Sequence, residues 1–210
     1  MSQVCPLCVA PSTIYFQNMN QLFHECSNCK AIFMDKSLRL KTEDEKLRYE
    51  THNNDVFDER YQNFVSPITK AILENFSEDH LGLDFGAGTG PVISKILKDN
   101  NFSIKVFDPY FHDNPKLLNK KYNYIACCEV IEHFYSPKKE FSLLKNILLK
   151  GGRLYCMTEI YDKSVDFSTW YYKNDPTHVF IYQKKTIAWI KNEFDFSRVD
   201  INGRLITFYN

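Results

Sequence analysis

The stretch LGLDFGAGTGPV, Leu81 to Val92, decides how this chain folds. An apolar strand carries Asp84 near its end, glycines stand at 86, 88 and 90, and a helical pattern begins past Pro91. A glycine turn lets the backbone approach a ligand, and the helix start beyond it offers unpaired N–H groups. A second strand, 104–108, ends in Asp108, about twenty residues after the glycines. An acid at that place can accept hydrogen bonds from both hydroxyls of a ribose.

Toward the C-terminus the spacing predicts strands at 81–85, 104–108, 124–128, 153–158, about 194–201 and 204–209, with helices at 91–99, 137–149 and 184–193. This alternation predicts an α/β fold, Rossmann-like and doubly wound, with a mainly parallel sheet. Asn202–Gly203 is a hairpin signal, so the last strand should run antiparallel. The interval from Asp108 to Tyr124 is too short for a full helix, strand and loops, so one unit should be reduced.

Toward the N-terminus, residues 36–80 read as a helical linker or lid. Thr42 and Glu45 suggest a capping box, and SPITKAILENF suggests a helix with Pro67 near its start. The helix from about 60 should pack on the domain of residues 81–210. Residues 1–35 form a third region with short β-like stretches.

Seven cysteines, an odd number, do not form a disulfide framework. Cys5 and Cys8, and Cys26 and Cys29, make two C-x-x-C pairs separated by seventeen residues. Four thiolates suit tetrahedral Zn²⁺, and about thirty residues need such a staple to fold. The expectation is a small zinc ribbon with a structural ion. The alternative, reduced cysteines buried without metal, needs two such pairs to coincide.

A second stretch, CCEVIEHF at 127–134, follows the strand that ends at Cys128. Glu129, Glu132 and His133 at spacings i, i+3 and i+4 would share one face of a helical turn. Strand carboxyl ends are where open α/β sheets place ligands. Two carboxylates and an imidazole suit Mg²⁺, Mn²⁺ or a second Zn²⁺. His178, in YYKNDPTHVFIY, is placed to add a further ligand. A metal-free reading stays open, in which Glu132 caps or pairs and His133 or His178 serves as general base or packs.

The G-x-G-x-G loop with its preceding acid resembles that of the class I S-adenosylmethionine-dependent methyltransferases, from about residue 60 to the end. The resemblance implies that Gly86 and Gly88 line the methionine and ribose end of the cofactor, with Asp84, Ala87 and Gly90 in the same loop region. It implies that Asp108 holds the ribose diol, that Pro109 and Tyr110 lie beside the adenine, and that Cys127 and Cys128 flank the cofactor. E-x-x-E-H with a later histidine is similar to the metal-dependent small-RNA 2′-O-methyltransferases, and E-x-x-E-H also to the O-methyltransferases of ubiquinone synthesis. Carried over, the ion's ligands would be Glu129, Glu132, His133 and His178, with the ion binding the acceptor hydroxyl.

Tyr49, His52 and Asn53 could contact cofactor or substrate from a lid, or belong to a solvated helix. Trp170, Tyr171 and Tyr172 could stack on a substrate or sit in the core. Lys plus Arg and Asp plus Glu number 26 each, which gives no electrostatic case for a large polyanion. No apolar run is long enough to span a membrane, and MSQVCPLC has no signal-peptide pattern, so the expected location is cytoplasmic. The reading is a methyltransferase acting on a hydroxyl of a small molecule or saccharide, with oligomeric state left open. Its rivals are an RNA methyltransferase that grips nucleic acid through the ribbon, and a non-catalytic cofactor-binding module.

Overall fold

Alternation along the central strands sets the layers. In a computed structural model describing residues 3–51 and 55–210, Tyr124, Ala126, Tyr155 and Met157 face one side of the main sheet. Ile125, Cys127, Leu154 and Cys156 face the other, and all eight are buried. Strands apolar on both faces require helices on both faces.

The elements in chain order are β1 (Ser12–Gln17), β2 (Leu22–Cys26), β3 (Ile32–Met34), α1 (Thr42–Glu50), α2 (Glu59–Asn75), β4 (Leu81–Phe85), α3 (Val92–Asp99) and β5 (Ser103–Phe107). There follow β6 (Tyr122–Cys128), α4 (Pro137–Ile147), β7 (Leu148–Met157), β8 (Phe180–Ile181), α5 (Lys184–Glu193), β9 (Arg198–Asn202) and β10 (Leu205–Tyr209). The six-stranded sheet has the order β5-β4-β6-β7-β10-β9. Its first four strands are parallel, and β10 is antiparallel to both neighbours. Val65, Ile68 and Ile72 of α2 pack with Val92, Ile93 and Leu97 of α3 on one face. Phe141, Leu144 and Ile147 of α4 pack with Ile187 and Ile190 of α5 in the core of the other. This is the doubly wound, Rossmann-like architecture, and a 3₁₀ turn at Pro115–Asn119 stands where the reduced unit was expected.

Three local expectations are corrected. The hairpin turn is Gly203–Arg204, because Asn202 still pairs with Leu205 and Gly203 supplies the positive φ of +57°. Thr42 is the first helical residue of α1; Lys41 precedes it in extended conformation and no side chain caps the end. Helix α2 starts at Glu59, where the Asp58 carboxylate accepts the Arg60 N–H, so Pro67 lies inside it. A proline there removes one helical hydrogen bond. The apolar face buried against α3 keeps the helix continuous.

The N-terminal strands β1, β2 and β3 are antiparallel, and their sheet takes a fourth strand from far along the chain. Ile32 pairs with Ile181 and Phe33 with Phe180 of β8. Phe23, Phe33, Phe167 and Phe180 belong to the same buried cluster as the α4 and α5 contacts.

Candidate active site

The glycine loop closes on the neighbouring strand end. Gly86 has φ +76°, and a Cβ there would meet Val130 Cγ2 at 2.5 Å, so no other residue fits without displacing that turn. Gly88 has φ +63°, and its N–H donates to Asp108 Oδ2 at 2.9 Å. Asp108 Oδ1 accepts the N–H groups of Tyr110 (2.8 Å) and Phe111 (3.1 Å). The carboxylate thus joins the two loops that the resemblance assigns to the cofactor. Ala87 and Gly88 are half-buried, Gly90 is buried and Pro109 is exposed.

Asp84 lies beneath the loop rather than in it. Its Oδ2 accepts the Ser94 N–H (3.2 Å) and hydroxyl (2.9 Å), which pins the start of α3. Burial pushes its carboxyl up to about 6, against the downward pull of Ser94. Cys127 is fully buried in the core on the α4 and α5 side. Cys128 is half-buried beside the α2 and α3 contacts.

The E-x-x-E-H run is not one helical turn. Glu129 has φ +51° and its N–H still donates to Met157 O, continuing the strand ladder; the 3₁₀ turn spans only Ile131–His133. Glu129 thus leaves the helical register but stays beside Glu132: the Tyr172 hydroxyl donates to Glu132 Oε1 and lies 3.4 Å from Glu129 Oε2, the Arg204 guanidinium meets that Oε2 at 2.5 Å, and Glu129 Oε1 is buried without a partner. The other side of Arg204 meets Glu159 at 2.7 Å.

Glu132, His133 and His178 converge, with one potential ligand atom from each within 4.8 Å of the others. Each imidazole donates Nδ1–H to a backbone carbonyl, His133 to Thr177 O (2.9 Å) and His178 to Tyr172 O (2.7 Å). Those bonds place the ring lone pairs on Nε2, the arrangement that a carbonyl behind the ring imposes on metal-binding histidines. Glu132 is fully buried; Oε1 accepts the Tyr172 hydroxyl, and Oε2 has no hydrogen-bond partner. Burial raises the Glu132 carboxyl. Burial and the Glu132 charge push Glu129 up to about 7, with Arg204 pulling down. Burial lowers His178, partly countered by Glu132.

A cleft of about 510 Å³ opens above this group, lined by Arg48, Phe64, Glu129, Tyr171, Tyr172, Asn174, Asp175, His178 and Arg204. Tyr171 is exposed there, Tyr172 is buried at the cleft wall, and Trp170 packs in the core. Helix α1 borders the cleft. Its Arg48 pairs with Asp175 at 2.7 Å, and its buried Glu45 accepts the hydroxyls of Tyr49 and Tyr110, each at 2.8 Å. Tyr49 also packs edge-on against His133. His52 and Asn53 lie outside the described residues. Arg48, Asp175, Thr177 and Arg204 carry no motif, and sequence reasoning missed them; a hairpin turn set one residue later would have exposed Arg204.

The four N-terminal cysteines also converge. Cys5 and Cys29 sulfurs are 3.6 Å apart and Cys8 and Cys26 3.2 Å, with all four within 4.8 Å. Sulfurs around tetrahedral Zn²⁺ at ~2.3 Å stand about 3.8 Å apart, so the cluster fits that ion. The two knuckles repeat one backbone plan. Cys5 N–H donates to Ala10 O and Cys26 N–H to Ala31 O, both at 2.9 Å. Val9 and Lys30, each just after the second cysteine, take positive φ of 61° and 62°. A β-branched residue holds such a conformation only where its surroundings impose it.

The profile of a family described as a methyltransferase domain matches residues 57–201. No curated protein matches the chain by sequence. The fold is similar to that of an O-methyltransferase family protein from Burkholderia thailandensis, with TM-score 0.55 and 10% identity over 79% of this chain and 61% of that one. It is similar to a SAM dependent methyltransferase from Archaeoglobus fulgidus, with TM-score 0.55 and 15% identity over 71% and 94%. Human N-acetylserotonin methyltransferase in complex with SAM gives TM-score 0.52 and 13% identity over 80% and 56%. The chain thus spans less than two thirds of the Burkholderia and human proteins. At these identities the likeness is one of fold.

Proposed function

The chain belongs to the methyltransferase domain family, and from that premise we propose that it methylates a hydroxyl of a small molecule or saccharide, assisted by a divalent ion. Family and fold support an S-adenosylmethionine-dependent methyltransferase. The acceptor, the ion and the residue roles are the proposal.

The observation that carries it is the convergence of Glu132, His133 and His178 with a buried, unpartnered Glu132 Oε2. An unmet carboxylate oxygen without a hydrogen bond or a charge partner is costly at full burial. At and beneath the cleft, Glu129, Glu132, Asp175 and Glu159 face two guanidiniums, Arg48 and Arg204. A dication would balance that surplus. When bound, it would lower the pKa of an acceptor hydroxyl and fix its position.

The chain's own groups divide the work. Gly86 and Gly88 let the backbone approach the donor, which supplies an electrophilic methyl on sulfonium, and Asp108 accepts from the ribose. Thr177 O and Tyr172 O hold the two imidazoles by Nδ1–H, so Nε2 of each points a lone pair. Arg204 pairs with Glu129 at the cleft wall. Tyr171, exposed beside Asn174 and Asp175, offers an aromatic face with polar neighbours, which is chemistry that suits a sugar or another polyhydroxylated acceptor. Cys5, Cys8, Cys26 and Cys29 hold a structural zinc that closes the ribbon.

The test is transfer from methyl-labelled donor into fractionated cell extract, with and without added Mg²⁺ or Mn²⁺. Label should enter a low-molecular-weight or saccharide fraction and depend on the ion. Label in RNA, or transfer indifferent to metal, would overturn the reading.

A further inference from the structure

The segment that carries Thr177 and His178 is gripped from two sides. On the inner side, the Val179 N–H donates to Glu132 O at 3.0 Å, and the Tyr182 hydroxyl donates to Ile131 O at 2.9 Å. On the outer side, the carbonyl of the same Val179 accepts the Met34 N–H at 2.9 Å, and β8 continues the ribbon sheet beside β3. One residue, adjacent to His178, therefore bridges the E-x-x-E-H turn and the cysteine ribbon.

Two further contacts hold the approach to that segment. Gln21 Nε2–H donates to Lys173 O at 3.0 Å, and Lys173 Nζ returns a bond to Gln21 Oε1 at 3.2 Å. The Phe167 ring meets Tyr15, Phe16 and Phe23 of the ribbon, with centroids 5.2 to 5.4 Å apart. By contrast, the hydrogen bonds of Asp84, Gly86, Ala87 and Gly88 run to Ser94, Phe107 and Asp108, all outside the ribbon.

We propose that the ribbon is a positioning element of the acceptor site: through Gln21, Met34 and the Phe16–Phe23 edge it sets the 167–181 segment so that Thr177 and His178 meet Glu132 and His133. It has no part in holding the donor. The inference rests on the reading of that group as the acceptor end. It gives the ribbon an internal duty, distinct from gripping nucleic acid. A short strand of two residues has little hold of its own, so its register depends on the sheet it joins. Loss of the outer grip leaves both imidazoles misplaced at once, since Thr177 O orients His133 and the backbone before it orients His178.

The experiment uses the full chain with nitrogen-labelled histidine, followed by NMR, alongside calorimetry with S-adenosylhomocysteine. Gln21→Ala removes both bonds to Lys173, and Phe167→Ala removes the aromatic hook. Each should shift or broaden the His133 and His178 ring signals and weaken Mn²⁺-induced broadening of those rings by about 3- to 10-fold, with S-adenosylhomocysteine affinity unchanged within about twofold. Gln21→Glu, which keeps an acceptor for Lys173 Nζ, should restore part of the signal. Undisturbed histidine rings in Gln21→Ala, or cofactor affinity falling in step with them, would overturn the proposal. If Phe167→Ala fails to fold, Gln21→Ala decides. A wild-type chain whose rings ignore Mn²⁺ contradicts the ion reading, while the metal-free signals still judge the ribbon.

Discussion

The Gly88 N–H donates to Asp108 Oδ2 at 2.9 Å, across the carboxyl ends of β4 and β5. One carboxylate therefore shapes the glycine loop and, in the proposed reading, holds the donor's ribose. Asp108→Ala should weaken S-adenosylhomocysteine binding by about 1–3 kcal/mol, roughly 5- to 150-fold, the usual cost of leaving polar partners unmet. Asp108→Asn keeps an acceptor and should lose less. Equilibrium dialysis with labelled ligand distinguishes the two, and equal affinity in all three chains would remove Asp108 from the site.

Glu132 is fully buried with one oxygen unpartnered. Glu132→Gln keeps the shape and an acceptor for Tyr172 but removes the charge. It should cut Mn²⁺ affinity, read by electron paramagnetic resonance, by at least about tenfold, the scale of losing a charged ligand. His178→Ala should do the same, and both should retain cofactor affinity. Wild-type Mn²⁺ affinity in either variant would mean that the group is not a metal site.

Metal analysis of purified chain should find one zinc per molecule. Cys8→Ser should lower the melting temperature by about 10 °C or more, since each kcal/mol moves a domain of this size by about 2–4 °C and losing a zinc thiolate costs several kcal/mol. A metal-free chain of unchanged stability would contradict the zinc assignment.

The buried Asp84 makes a pH-dependent contribution. Its folded value of about 6 lies above the ordinary value near 4. Between those values the unfolded chain ionises while the folded chain stays protonated, so Asp84 costs stability as pH rises through the window. The cost is complete above about pH 6. Asp84→Asn lacks that titration. From pH 4.5 to 7.5 it should gain about 2 kcal/mol relative to wild type in urea unfolding, by linkage. Parallel pH profiles would show that Ser94 and the start of α3 fully compensate the buried charge.

The central sheet was legible because its strands are short apolar runs of fixed length, closed by glycines and by the Asn202–Gly203 signal. The antiparallel last strand and the reduced unit after Asp108 followed from those intervals, and both are present. Pairing between distant segments was not legible. Phe180–Ile181 is too short to show a period, and its partner β3 lies about 150 residues earlier. The site was legible where motif residues converge, at Glu132, His133 and His178. The placement of Glu129 was legible only in part: it lines the cleft near Glu132, but not through a shared helical face, because Glu129 has φ +51°. Likewise Arg48–Asp175 and Glu45–Tyr110 bring α1 to the cleft through single long-range bonds that leave no pattern in sequence.

The most direct test of the donor site is calorimetry of the folded chain with S-adenosylmethionine and S-adenosylhomocysteine. One molecule of either should bind per chain, with heat that survives His178→Ala and fades in Asp108→Ala. A well-folded chain that takes up neither compound would contradict the assignment of the Gly86–Gly90 loop and, with it, the proposed transfer to an acceptor at the Glu132, His133 and His178 group.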